Sequence, residues 1–123
     1  MNEKLYHYKL EITKVIDGDT IEAHIDLGFG IWAKNKRFRL KGINASEVKG
    51  ATKAQGLKAK DALERLLKER TLFAKTEKDK SDKYGRYIAD IFFYTSEKDT
   101  GGQQIVFVKE YMINEGYAVA AYE

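Results

Sequence analysis

One amphipathic stripe interrupts a chain that otherwise alternates like a set of strands. Ala59, Ala62, Leu63, Leu66 and Leu67 recur at i, i+3, i+4, i+7 and i+8, which is the apolar face of an α-helix. The spacing predicts a helix over 53–69, with Thr52 and Gln55 as a capping box at its start and Gly56 as the weak position in its first turns. Before it the period is two. Tyr8, Leu10 and Ile12, then Ile21, Ala23, Ile25 and Leu27, predict two half-buried strands joined across the turn "DGDT", in which Gly18 tolerates a positive φ. "KRFRLK" predicts a third strand, reached through a hairpin whose Gly28, Gly30 and polar "AKNK" imply an exposed tip. After the helix, "TLFAKT" and "YIADIFFY" predict two more strands separated by a charged loop over 77–85. A short apolar piece at 105–108 stays unassigned, and a second helix near 109–115 ends at Gly116.

Five short strands with a helix inserted after the third suit a small closed barrel of the OB type, because curling the sheet removes its edges. The fold class is therefore α+β, mainly β: a five-stranded OB barrel with an amphipathic helix after strand three and a short C-terminal helix. At 123 residues the chain holds one domain, 1–123, and no proline-rich or low-complexity tract marks a boundary within it. It contains no cysteine, which excludes disulfides, thiolate metal sites and a cysteine nucleophile. The start, "MNEKLYHYKLEIT", alternates polar and apolar residues where a secretory signal has a continuous apolar stretch. No run approaches the roughly 18 apolar residues of a membrane span. A soluble monomer with no membrane partner is expected, and the localisation stays open because a removed signal leaves no trace.

Charge is distributed unevenly along this chain of net charge +3. Residues 31–50 carry Lys34, Lys36, Arg37, Arg39, Lys41 and Lys49 against Glu47 alone, whereas acids outnumber bases in residues 1–30. An anionic ligand is drawn to the middle of the chain, although a solvated basic hairpin has the same composition. Asp17 and Asp19 flank the turn glycine, so both carboxylates can project from one loop toward a hard cation; Asp-Gly is equally an ordinary hairpin turn. In "FRLKGINASE", Arg39 at the end of a strand can clamp a phosphate, and Glu47 in the following loop can orient or deprotonate a water. A surface salt bridge between the two is the plainer alternative. "SDKYGRY" adds Arg86, beside Lys83 and Tyr84, as a second cation from a different strand. Tyr84 and Tyr122 are candidates for stacking on bases. His7 and His24 are too scattered for a zinc site and belong to the structure. Trp32 suits either a barrel cap or an exposed hairpin.

Taken in order, "VIDGDT", "FRLKGINASE", the helix, "DKYGR" and "EGYAVAAY" resemble the staphylococcal nuclease (thermonuclease) family from about Tyr8 onward. The resemblance implies a calcium-dependent phosphodiesterase on an OB barrel, cleaving DNA, RNA or both at the 5′-side P–O bond to leave 3′-phosphates. Single-stranded or denatured nucleic acid is the implied partner. By position, Asp19 would ligate one Ca2+ ion directly with Asp17 behind it, and Arg39 would bind the scissile phosphate. Arg86 would stabilise the transition state, and Glu47 would hold the attacking water. Lys83, Tyr84 and Tyr122 match positions that contact the terminal phosphate or line the nucleotide pocket. The family's second calcium-ligating aspartate corresponds to Asn44, and Ala45 stands where a threonine is usual, at a position that coordinates through its backbone carbonyl. Asn44 keeps an oxygen but removes one negative charge, so weaker metal binding is expected. The sequence stops one residue after Tyr122 and so lacks the long final helix and second pocket tyrosine of the best-known member. The alternative expectation is a nuclease-like OB module, weak or inactive in catalysis, that binds nucleic acid or a protein partner.

Overall fold

The period-two alternation of the first forty residues becomes three long antiparallel strands, β1 (His7–Asp17), β2 (Thr20–Gly28) and β3 (Ile31–Leu40). This computed structural model describes residues 7–46, 50–81, 85–96 and 103–121. In chain order there follow β4 (Ile43–Ala45), a 3-10 turn at Gly50–Thr52, α1 (Lys53–Leu67), β5 (Leu72–Ser81) and β6 (Tyr87–Ser96). The chain then continues through β7 (Gln103–Phe107), α2 (Val108–Asn114) and β8 (Ala118–Ala120). The main sheet runs β3-β2-β1-β5-β6-β7. β3 also pairs in parallel with β6, Phe38 opposite Tyr87 and Leu40 opposite Ala89, and this closes β1, β2, β3, β5 and β6 into a five-strand barrel.

Inward-facing Leu10, Ile21, Phe38, Leu40, Leu72 and Ile91 fill the barrel, and α1 adds Ala59, Leu63 and Leu67 from the stripe read in the sequence. The stripe is thus a core face, and the helix packs along β1. Its start differs from expectation. Thr52 ends the 3-10 turn at φ −96°, ψ 4° and makes no side-chain cap, because an N-cap residue typically needs an extended backbone for its hydroxyl to accept from the N–H two or three residues ahead. Gln55 instead accepts from Ser46 Oγ at 3.4 Å. The helix also stops at Leu67, two residues early, where Lys68 turns extended and Glu69 takes φ +59°.

Three further expectations are corrected. Gly18 does not take a positive φ. The turn demands glycine for space, since a Cβ there would lie 2.7 Å from Ala59 Cβ and 2.9 Å from Ala45 Cβ. The loop expected over 77–85 is partly strand, because β5 runs to Ser81 across an irregularity between Thr76 and Ser81. The unassigned piece at 105–108 is the strand β7 up to Phe107, with Val108 already opening α2.

Helix α2 ends as Gly116 predicts. At φ +80°, Gly116 N–H donates to the Ile113 carbonyl at 3.0 Å and Tyr117 N–H to the Met112 carbonyl at 2.8 Å, a Schellman closure. This reversal sends the chain back as β8, which pairs antiparallel with β4, Asn44 opposite Val119 and Ala45 opposite Ala118. Ala121 N–H extends the pairing to the Gly42 carbonyl at 2.9 Å. Neither three-residue strand is evident in the sequence, yet together they hold Asn44 and Ala45 in place.

Candidate active site

The site is built where the β1–β2 turn, the end of β3, the short β4 and the start of β6 meet. The backbone orders it first. Asp19 accepts through its own carbonyl from Leu40 N–H at 2.8 Å, which ties the turn to the end of β3. Thr20 then pairs with Arg39 across β2 and β3, and Arg39 with Ile88 across β3 and β6.

On this frame three polar side chains are buried together, Asp19, Thr20 and Arg39. The Asp19 carboxylate accepts from Thr20 Oγ1 at 3.0 Å through one oxygen and from Ala45 N–H at 2.8 Å through the other. Arg39 Nη2 lies 3.6 Å from Asp19 Oδ2 and donates to Asn44 Oδ1, while Nη1 donates to the Leu40 carbonyl at 2.9 Å. From the residue just before β6, half-buried Arg86 donates through Nη1 to Thr20 Oγ1 at 3.2 Å. The Thr20 hydroxyl therefore gives its proton to Asp19 and takes one from Arg86, linking acid and cation through one oxygen.

Of the residues singled out in the sequence, the structure gathers Asp19, Arg39, Asn44, Ala45 and Arg86. Asp17, at the last position of β1, is half-buried next to the turn and takes no part in this hydrogen-bonded network among the described residues. Glu47, Lys83, Tyr84 and Tyr122 lie outside the described residues. Thr20 is a site residue that sequence reasoning passed over. Its only signal is its place directly after Asp19, and a threonine opening a strand needs no further explanation. His24 is structural as expected, accepting from Asn35 N–H at 3.0 Å. Trp32 is half-buried on the hairpin, with Lys34 Nζ 5.9 Å from its ring, and the fully exposed aromatic of that tip is Phe29.

A buried carboxylate beside an amide oxygen supplies oxygen donors of the kind a hard cation takes. Each Asp19 oxygen accepts one of these two hydrogen bonds and has a second lone pair. Among the described residues no group of three His, Cys, Asp or Glu gathers, so the carboxylate density is low. The two guanidiniums leave the cluster cationic, which favours an anionic ligand with two or more acceptor oxygens.

A model of the family described as staphylococcal nuclease homologue matches residues 37–123. That span contains Arg39, Asn44, Ala45 and Arg86 and begins beyond Asp17 and Asp19. The chain is also similar to an uncharacterized protein of Methanocaldococcus jannaschii, MJ1439, with 29% identity over 133 residues. The alignment covers 91% of this chain and 58% of that relative, so the chain spans somewhat more than half of the relative's length.

Proposed function

The chain belongs to the staphylococcal nuclease family, and from that premise we propose that it is a calcium-dependent phosphodiesterase acting on DNA, RNA or both. Its preferred substrate is single-stranded or denatured, and it cuts the 5′ P–O bond to leave 3′-phosphates. The observation that carries this reading is the convergence of Arg39, from β3, and Arg86, just before β6, upon Asp19, through its direct ion pair and through Thr20. A module that only stacks bases has no need of a buried carboxylate between two guanidiniums.

Each residue then has a task. Arg39, fixed by the Leu40 carbonyl and Asn44, offers its guanidinium edge to the scissile phosphate. Arg86 meets the charge that grows on the phosphoryl oxygens as the attacking water adds, and Glu47 positions that water and takes its proton. Asp19, Asn44 and the Ala45 carbonyl would hold the cation, with Asp17 behind them. Calcium, when bound, supplies positive charge beside the phosphate oxygens. Lys83, Tyr84 and Tyr122 contact the terminal phosphate and line the nucleotide pocket. Phosphate bound by Arg39 would take the place of its bond to Asn44, and the Asn44 oxygen would then be able to serve as a ligand.

One observation favours a second reading, a binder that does not cleave: Asn44 Oδ1 is engaged by Arg39, and as an amide it brings no charge to a cation. Calorimetric titration with a nucleoside 3′,5′-bisphosphate separates the two. The enzyme reading expects calcium to tighten nucleotide binding, and nucleotide to tighten calcium binding by the same factor. Nucleotide binding indifferent to calcium supports the binder.

A further inference from the structure

Strand β3, "IWAKNKRFRL", holds Lys34, Lys36, Arg37 and Arg39 and no acid. Register decides which of them share a face. Phe38 and Leu40 fill the barrel, so Arg39 between them faces outward. Arg39 pairs with Thr20 and Arg37 with Glu22, which puts Arg37 on that same outer face. Trp32 lies an odd number of positions from Arg39, and plain alternation would turn it inward. A bulge reverses this. Between Lys36 opposite Ala23 and Ala33 opposite Ile25, β3 uses one residue more than β2, and Asn35 takes φ +54°. His24 holds the bulge by accepting from Asn35 N–H at 3.0 Å. Trp32 thereby comes opposite Asp26 on the outer face, with Lys34 Nζ 5.9 Å from its ring.

Arg39, Arg37, Lys34 and Trp32 thus form one row that starts at the candidate active site and runs along β3 away from it. Arg37 and Lys34 are exposed and Trp32 is half-buried. Among the described residues Arg37 makes no ion pair or hydrogen bond. Glu22, directly across from it, accepts instead from Thr13 Oγ1 at 3.0 Å, and Asp26 accepts from Gly28 N–H at 2.8 Å. Past its contact with β6 at Phe38–Leu40, β3 pairs with β2 alone among the described residues. Basic side chains on such an edge also discourage pairing with another sheet. That task requires neither a bulge that re-aims a tryptophan nor a row continuous with Arg39.

We propose that this row is the track of a single-stranded nucleic acid extending from the Arg39 site, with Arg37 and Lys34 on successive phosphates and a base stacked on Trp32. Charge complementarity calls for a polyanion, and an unpaired strand brings both a backbone for the cations and a free base face for the ring. The track rests on the phosphodiesterase reading for what occupies Arg39. At about 3.3 Å per strand residue the row spans on the order of 20 Å. At the stacked spacing of about 3.4 Å, about six nucleotides cover it. Long unpaired substrates are therefore favoured over dinucleotides.

Trp32 is the only tryptophan of the chain, so its fluorescence reports on the track directly. With chelator present to keep the strand intact, an oligothymidylate of about 12 nucleotides should quench Trp32. A thymidine dinucleotide at equal nucleotide concentration should not, nor should polyglutamate, which offers charge without bases. Arg37→Gln should weaken oligonucleotide binding and lower the salt slope of log K by about 0.7, the share of one phosphate contact. Lys58→Gln, which removes the same charge from an exposed position of α1, should change neither. Trp32→Ala should weaken binding about 5- to 150-fold, read by anisotropy of a labelled oligonucleotide, the scale of one stacked base. An oligonucleotide that fails to bind or leaves Trp32 emission unchanged, equal quenching by the dinucleotide or polyglutamate, or equal losses in Arg37→Gln and Lys58→Gln overturns the proposal. Cleavage under calcium with an indifferent Trp32 sinks the track and leaves the phosphodiesterase reading intact; quenching without cleavage does the opposite.

Discussion

Thr20 is the residue through which the acid and Arg86 communicate, and its chemistry sets what a substitution does. Thr20→Val keeps the shape but leaves Asp19 with one hydrogen bond fewer and removes one acceptor of Arg86. Losing these bonds at a buried position costs about 1–3 kcal/mol, readable in urea unfolding. Thr20→Ser, which retains the hydroxyl, should recover most of both stability and turnover; a serine variant as impaired as the valine would show that packing, not the hydroxyl, matters. The groups assigned to phosphate have a larger effect on rate. Arg39→Ala, Arg86→Ala and Glu47→Gln should each lower turnover by at least about 100-fold, the scale of one well-aimed electrostatic donor. Undiminished cleavage in all three would place the chemistry elsewhere. Asp19, Arg39 and Arg86 were legible in the sequence because each lies in one of the motifs, "VIDGDT", "FRLKGINASE" and "DKYGR", whose order carries the family resemblance. Thr20 was not, because β-branched residues open strands for reasons unrelated to chemistry.

At the scale of elements, long periodic segments could be read and short or irregular ones could not. The stripe from Ala59 to Leu67 and the alternation around "DGDT" each repeat often enough to identify a helix and a hairpin. Strands β4 and β8, at three residues each, are too short for alternation to show. Their pairing is tertiary, yet it delivers the Ala45 N–H to Asp19. Gly18 shows the same limit: a glycine between two aspartates reads as a turn residue, but its requirement comes from Ala59 and Ala45, distant in sequence. Gly18→Ala should therefore destabilise by about 1–3 kcal/mol through overpacking. It should also weaken calcium binding, because the turn that carries Asp19 must move. Wild-type stability on chemical denaturation would contradict this account of the turn.

At the scale of the molecule, the parallel contact of β3 with β6 does two things at once. It closes the barrel, and it carries Arg39 to the side of the strand that begins just after Arg86. The count of five barrel strands and the helix between the third and fourth of them followed from the sequence. Closure was expected from their number and order, but the strands that close it were not, since no local signal specifies which strands pair in parallel. The outward side of β6 was hidden for a related reason, because "YIADIFFY" is apolar at nearly every position and only the register separates Phe93 inside from Phe92 outside. The central claim, that Asp19, Arg39 and Arg86 form a metal-dependent phosphodiesterase site, is tested most directly by incubating the protein with heat-denatured DNA under calcium and under chelator. The account predicts degradation to 3′-phosphate-ended products with calcium and none with chelator. Intact DNA under both conditions, or cleavage equally fast under both, would contradict it.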